Sequence, residues 1–205
     1  WNPWCNYNSL LSTILLGEEV TTETQKAVLT KSMKSVDKFI NYYKADGACE
    51  EGPSYWSHAG GKMLEYLDFV YNLTDGNVSV RDNKLIQNMG VYIMDAHIDE
   101  DFYINFADAS VRANPNPAII YRYGTYTNNQ ALKQFAAYLA KNNDFYKTIT
   151  AKGGIDQIVN NLEIKEALKA TIPEKINKLS FAYQETEIVG GRTSVEKNKG
   201  FFFAA

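Results

Sequence analysis

Cysteine and histidine are scarce, each occurring only twice in 205 residues. Cys5 and Cys49 are too few for a disulfide framework, and neither has a histidine at metal-ligand spacing. Free thiols are therefore expected, with no metal or other cofactor. Positive charge is not in excess either. Lys and Arg number 21 against 24 Asp and Glu, a formal net charge of -3, which leaves no surplus to neutralise a phosphate backbone. That balance argues against a nucleic-acid partner. Long apolar runs are missing as well: the run at residues 10–16 contains Ser12 and Thr13 and falls far short of the roughly 18 apolar residues a membrane span needs. No membrane partner is expected.

What the chain does have is apolar mass and rings. Hydrophobic residues make up 45%, enough to bury a core in a chain of this length. The 14 Tyr and 3 Trp supply flat amphipathic rings, which pack cores and also stack on the apolar faces of sugars.

Between residues 21 and 43, Leu29, Met33, Val36, Ile40 and Tyr43 recur at spacings of three and four, the stripe of a long amphipathic helix. Thr21 or Thr22 suits its cap, with Glu23 in the first turn, and Asp46-Gly47 marks a break beyond it. Further stripes run through Leu64, Leu67 and Tyr71, through Leu85, Met89, Tyr92, Ile93 and Ala96, and through Leu132, Phe135, Ala136 and Leu139. Shorter helical stretches are expected at residues 9–16 and 155–170. A bundle, a solenoid and a closed toroid of helical hairpins all fit such a series, and periodicity does not choose among them. After Pro173 the pattern shortens. Residues 185–189, 192–195 and 200–203 read as strands, with Gly190-Gly191 as a turn between the first two. A helical part over residues 1–178 and the beginning of a β domain over 179–205 are expected.

Chemistry concentrates in residues 46–61, a connection between helices rich in acids, glycines and aromatics and holding His58. Three blocks occur in order along the chain: Trp1-Asn2-Pro3-Trp4-Cys5-Asn6-Tyr7-Asn8, then Asp46-Gly47 followed by Glu51-Gly52-Pro53-Ser54-Tyr55-Trp56, then Asp101-Phe102-Tyr103-Ile104-Asn105-Phe106-Ala107-Asp108-Ala109. Together they resemble the heparinase II/III family of polysaccharide lyases. The closing Gly200-Phe201-Phe202-Phe203-Ala204-Ala205 is similar to the strand that precedes a histidine-rich catalytic segment in that family. The resemblance covers most of the chain. It implies a mainly α fold, an incomplete (α/α) toroid of helical hairpins followed by the first strands of a β-sandwich domain. It also implies a periplasmic or secreted enzyme that cleaves a uronate-containing acidic polysaccharide by β-elimination. The rest of the same polypeptide, with the missing β domain, would complete the site.

Elimination needs a group to neutralise the uronate carboxylate, a base for the C5 proton and an acid for the leaving oxygen. By its place in the Glu-Gly-Pro-Ser-Tyr-Trp block, Tyr55 corresponds to the family's catalytic tyrosine. Its ordinary pKa near 10 suits an acid; duty as a base would require nearby positive charge, which His58 is placed to supply. The family's carboxylate neutraliser aligns just ahead of Trp1. Asn2 and Asn6 stand as substitutes, against a reading in which they cap the first helix. Trp4 and Trp56 are expected beside Tyr55 on one concave surface, and Glu51 is expected to order the loop through backbone amides. Arg112 and Arg122 offer fixed cations for an anionic sugar, both as secondary candidates, while His97 reads as a helix C-terminal cap. Two rival readings remain. A glycoside hydrolase would pair Glu50 or Glu51 with Asp101 or Asp108 across the scissile bond. A non-catalytic sugar-binding or structural helical domain would need no such pair.

Overall fold

A computed structural model describes residues 1–150, 154–196 and 199–205. Helices dominate it, and their ends follow local chemistry. Helix α1 (Asn2–Leu15) opens with Pro3 in its first turn, where a missing N–H is harmless, and buries Tyr7 and Leu10. It starts seven residues before the expected segment at residue 9, because its apolar positions are sparse and lie among asparagines. Helix α2 (Thr22–Tyr42) begins as expected, the Thr21 side chain accepting the Thr24 amide at 3.2 Å. Helices α3 (Lys62–Leu73) and α4 (Lys84–Asp95) follow the next two stripes. Helix α5 (Pro117–Tyr126) was not expected. Asn116 caps it by accepting the Ala118 amide at 2.9 Å, and Pro117 occupies its first position. Asn129 caps α6 (Gln130–Asn142) in the same way, and α7 (Phe145–Thr148) and α8 (Ile155–Ala170) complete the eight helices of the described residues.

Helix α1 packs on α2 and α3, α5 packs on α6 and α8, and α3 and α4 bridge the two groups through α5 and α6. A single apolar cluster runs through these contacts, with Trp56, Tyr92, Tyr103, Tyr123 and Phe135 its largest fully buried side chains. Burial of each such ring stabilises the fold by roughly 1.5–3 kcal/mol relative to exposure. Among the described residues no helix is long and apolar enough to cross a membrane.

The described residues also form two antiparallel sheets. Strands β1 (His97–Asp99) and β2 (Phe102–Tyr103) form a short hairpin after α4. His97 is thus not the expected helix cap. It is fully buried, its ring meeting Tyr103, Phe135 and Tyr138 with centroids 5.0, 5.2 and 6.0 Å away. Strands β3 (Ser180–Tyr183), β4 (Ile188–Arg192) and β5 (Phe202–Ala204) form a sheet in that order. The expected Gly190-Gly191 turn lies instead inside β4. Gly190 pairs with Phe181 and Gly191 with Phe203, and the aromatic rings of those partners lie where a β-carbon would project. Glycine serves here to admit rings, not to turn the chain.

The sheet is tied to the helices by buried and half-buried polar contacts. Asp95 accepts from Lys178 Nζ at 2.7 Å and from the Tyr183 hydroxyl at 2.9 Å. The Arg192 guanidinium donates to the carbonyls of His97 and Ile98. Asp46 accepts the amides of Glu185 and Thr186, both at 2.9 Å, and the Thr186 hydroxyl. That last contact joins the β3–β4 turn to the start of the 46–61 loop.

Candidate functional site beside Tyr55

The 46–61 loop is built by glycines and one tryptophan. Gly47 (φ +81°) turns the chain away from α2 so close to α4 that an added β-carbon would lie 2.5 Å from the Met89 amide. Gly52 (φ +89°) sits against Phe106 and Ala109, where a β-carbon would collide with Ala109. The second and third motif blocks are therefore in contact, and the Ser54 hydroxyl adds to this by accepting the Ser110 amide at 3.3 Å. A short 3₁₀ turn (Pro53–Tyr55) and a wider π-type turn (Ser57–Gly61) then lead into α3.

Trp56 lies between these turns and is fully buried. Its indole N–H donates to the Met89 carbonyl at 2.7 Å, its ring lies 5.9 Å from Tyr123, and Gly60 leaves room for it, since a β-carbon added there would lie 2.9 Å from the indole nitrogen. This corrects the expectation that Trp56 contacts substrate. An indole with no exposed face has nothing to offer a sugar, and Trp56 is instead the anchor around which the loop folds.

With Trp56 turned inward, its neighbour Tyr55 is turned outward and is 39% exposed. His58 lies beside it, ring centroids 6.4 Å apart and tilted by 49°. Trp4, from α1, stacks on the other side of the group, 5.4 Å from His58 at an interplanar angle of 20°. Trp4, Tyr55 and His58 are thus brought together from two distant stretches of chain. Lys62 supports Trp4, its ammonium 4.6 Å from the indole centroid and 4.7 Å from the Tyr7 ring. Lys62 is itself buried and ion-paired to the buried Glu65 at 2.7 Å, with Arg122 3.9 Å from the same carboxylate.

Asn2 and Asn6 face α2 and not a groove. The Asn2 amide donates to Ser35 Oγ at 3.0 Å and to the Ser35 carbonyl at 3.1 Å, and Asn6 donates to the same hydroxyl at 3.0 Å. Neither caps α1, whose N-terminal position is Trp1 without a side-chain cap bond. Arg112 is also committed: its guanidinium reaches both Asp101 oxygens, at 2.8 and 3.0 Å, and lies over the Phe102 ring. Arg122 binds Asp68, and its neighbour Tyr123 is buried in α5 donating to the Ile86 carbonyl.

Next to His58 a cleft of about 220 Å³ is lined by Phe39, Tyr42, Tyr43, Glu50 and Glu51, among others. Glu51 reaches it with an exposed side chain. Tyr43 and Cys49 also face this cleft, and burial raises the phenol well above the ordinary tyrosine range and raises the thiol. Sequence reasoning missed the contribution of α2. The spacing of Phe39, Tyr42 and Tyr43 read only as the end of a helical stripe, and no local signal showed that it faced the loop. A larger hollow of about 700 Å³ lies by the β1–β2 hairpin, lined by Glu100, Asp101, Tyr138, Asn142, Asn143 and Lys175 among others, so that of the nominated residues it includes only Asp101, the second acid of the hydrolase reading. Among the described residues no group of three or more His, Cys, Asp or Glu converges as metal ligands would.

No protein-family model matches the chain, and no curated protein is significantly similar to it.

Proposed function

We propose that this chain is part of a polysaccharide lyase that cleaves a uronate-containing acidic glycan by β-elimination, with Tyr55 as a proton-transfer group. The observation that carries the reading is an exposed Tyr55 whose ring lies 6.4 Å from His58, with His58 itself stacked on Trp4 and lining an aromatic cleft. The resemblance of the Glu51-Gly52-Pro53-Ser54-Tyr55-Trp56 block to the heparinase II/III family supports it independently. In the reaction a base removes the proton at C5, the electron pair forms the C4–C5 double bond, and the bond from C4 to the glycosidic oxygen breaks. The leaving oxygen then takes a proton. Tyr55 is the donor for that step, as the only exposed phenol of the motif block, and Trp4 stacks on a sugar ring while His58 holds it by hydrogen bonding.

On this reading the helices form part of an (α/α) toroid, the β3–β5 sheet opens a β-sandwich domain, and the enzyme is periplasmic or secreted. The rest of the polypeptide supplies the group that neutralises the carboxylate. The hydrolase alternative draws less support, because one of its two second acids, Asp101, is bound by Arg112. The deciding experiment uses the full-length protein on acidic glycans, following the near-ultraviolet absorbance of the unsaturated uronate. Tyr55→Phe should lower turnover by roughly 100-fold or more with little change in KM, the usual contribution of a general acid–base group. Near-normal turnover would make Tyr55 a packing residue. New reducing ends without the chromophore would make the enzyme a hydrolase.

A further inference from the structure

The residues beneath Trp4 carry more charge than a packing role requires. Lys62 and Glu65, one turn apart in α3, are both buried, 6% and 1% exposed, and their charged groups are 2.7 Å apart. Arg122 of α5 lies 3.9 Å from the other Glu65 oxygen and binds Asp68, so Lys62, Glu65, Arg122 and Asp68 form a row of alternating charges between the two helices. Such a row contributes little net stability, because desolvation offsets the attraction, and apolar residues of similar size often hold helices together as well. What it does provide is direction. The Lys62 ammonium meets the Glu65 carboxylate and the faces of two rings at once, Trp4 with its centroid 4.6 Å away and Tyr7 at 4.7 Å. Trp4 and Tyr7 are three residues apart on α1 and so share the face that packs on α3. Tyr7 is already fixed, buried and edge-on to Phe69 at 5.9 Å. Trp4 is only half-buried, and His58, four residues before Lys62, stacks on it at 5.4 Å.

We propose that Lys62 is a positioning residue of this site. Held by Glu65 and, through it, by Arg122 and Asp68, its ammonium fixes the Trp4 indole against His58 before any sugar arrives. A cation over a ring face is held more strongly in a dry site than at the surface. Ordering a mobile side chain on binding weakens affinity several-fold, and a ring already held avoids that loss. This inference rests on the lyase reading of the site, and deepens it by naming the group that prepares the sugar platform.

The test uses the full-length protein with heparan sulfate, chondroitin sulfate and alginate as substrates, and reads the release of unsaturated uronate. Lys62→Met together with Glu65→Gln removes the ion pair without leaving a lone buried charge and nearly keeps both side-chain volumes. This protein should still unfold cooperatively, and KM for the glycan that is cut should rise about three- to tenfold with kcat changed by less than about twofold. In a Trp4→Ala background, where there is no ring to hold, the same two changes should move KM by less than about twofold. A merely structural pair would act equally in both backgrounds. Three results would each overturn the inference while native turnover left the lyase standing: an unchanged KM with Trp4 present, an equal rise in the Trp4→Ala background, or failure of the Lys62→Met, Glu65→Gln protein to fold. Unsaturated product from none of the three glycans with the native protein would remove the lyase reading, and the role of Lys62 in it.

Discussion

The buried His97 should make the fold acid-sensitive in a defined window. Burial is the main reason its pKa is lowered to about 4; Lys175 and Arg192 push the same way, while the hydrogen bond to the Glu100 carbonyl and the Asp99 charge oppose them. A free histidine titrates near 6.5. Below that pH the unfolded chain takes up a proton that the folded chain refuses until about pH 4, so stability falls as the pH drops through this interval and is unaffected by His97 above it. At pH 5 the two pKa values give the unfolded state a roughly 30-fold advantage, a loss of about 2 kcal/mol. Urea denaturation at pH 7 and pH 5 measures it, with His97→Phe and His97→Gln as controls that keep or remove the ring. Both variants should start less stable at pH 7, and their further loss on going to pH 5 should be smaller than that of the native chain by about 2 kcal/mol. If all three lose the same amount, His97 is not the acid-sensitive group, and the hairpin above it opens to water more readily than its burial suggests.

Two further outcomes test the architecture of the site. Trp56→Ala should cost about 3–5 kcal/mol, the range for emptying a buried aromatic position, and glycan binding should weaken only as far as folding does; thermal unfolding alongside glycan affinity separates this from a stacking role, in which affinity would fall in a still-stable protein. Asp46→Ala removes the acceptor shared by Ala48, Glu185 and Thr186 and should destabilise the chain by about 2 kcal/mol. Hydrogen exchange should rise at residues 184–187 and 45–49 together; exchange rising at only one of the two would show that the carboxylate does not join them.

Helical periodicity was enough to locate α2, α3, α4, α6 and α8, because an amphipathic stripe is a local property that packing only has to use. Caps read the same way, as Thr21 shows. Helix α5 escaped notice because Pro117, Gly124 and a mixture of tyrosines hide its period, and the β1–β2 hairpin because strands of two or three residues have no period to read. The C-terminal segment was legible as β structure but its strands were not: residues 185–187 form a turn, 193–195 lie outside any strand, β3 was not expected, and only pairing explains why Gly190 and Gly191 lie under Phe rings and not in a turn.

For the site, the sequence by itself marked the 46–61 loop, since acids, glycines and aromatics in one connection are a local signal, while Tyr55 within it was singled out by the block's resemblance to the heparinase II/III family. The tertiary structure decided which ring of the Tyr55-Trp56 pair faces water. Adjacent side chains diverge, and the Met89 carbonyl and the space above Gly60 take the indole inward, leaving the phenol outside. It also decided that Trp4, more than fifty residues from Tyr55 and His58 in sequence, joins them, and that Asn2, Asn6 and Arg112 are spent on Ser35 and Asp101. Ser35 lies 33 residues from Asn2 and 29 from Asn6 in sequence, and only the packing of α1 on α2 brings the three together.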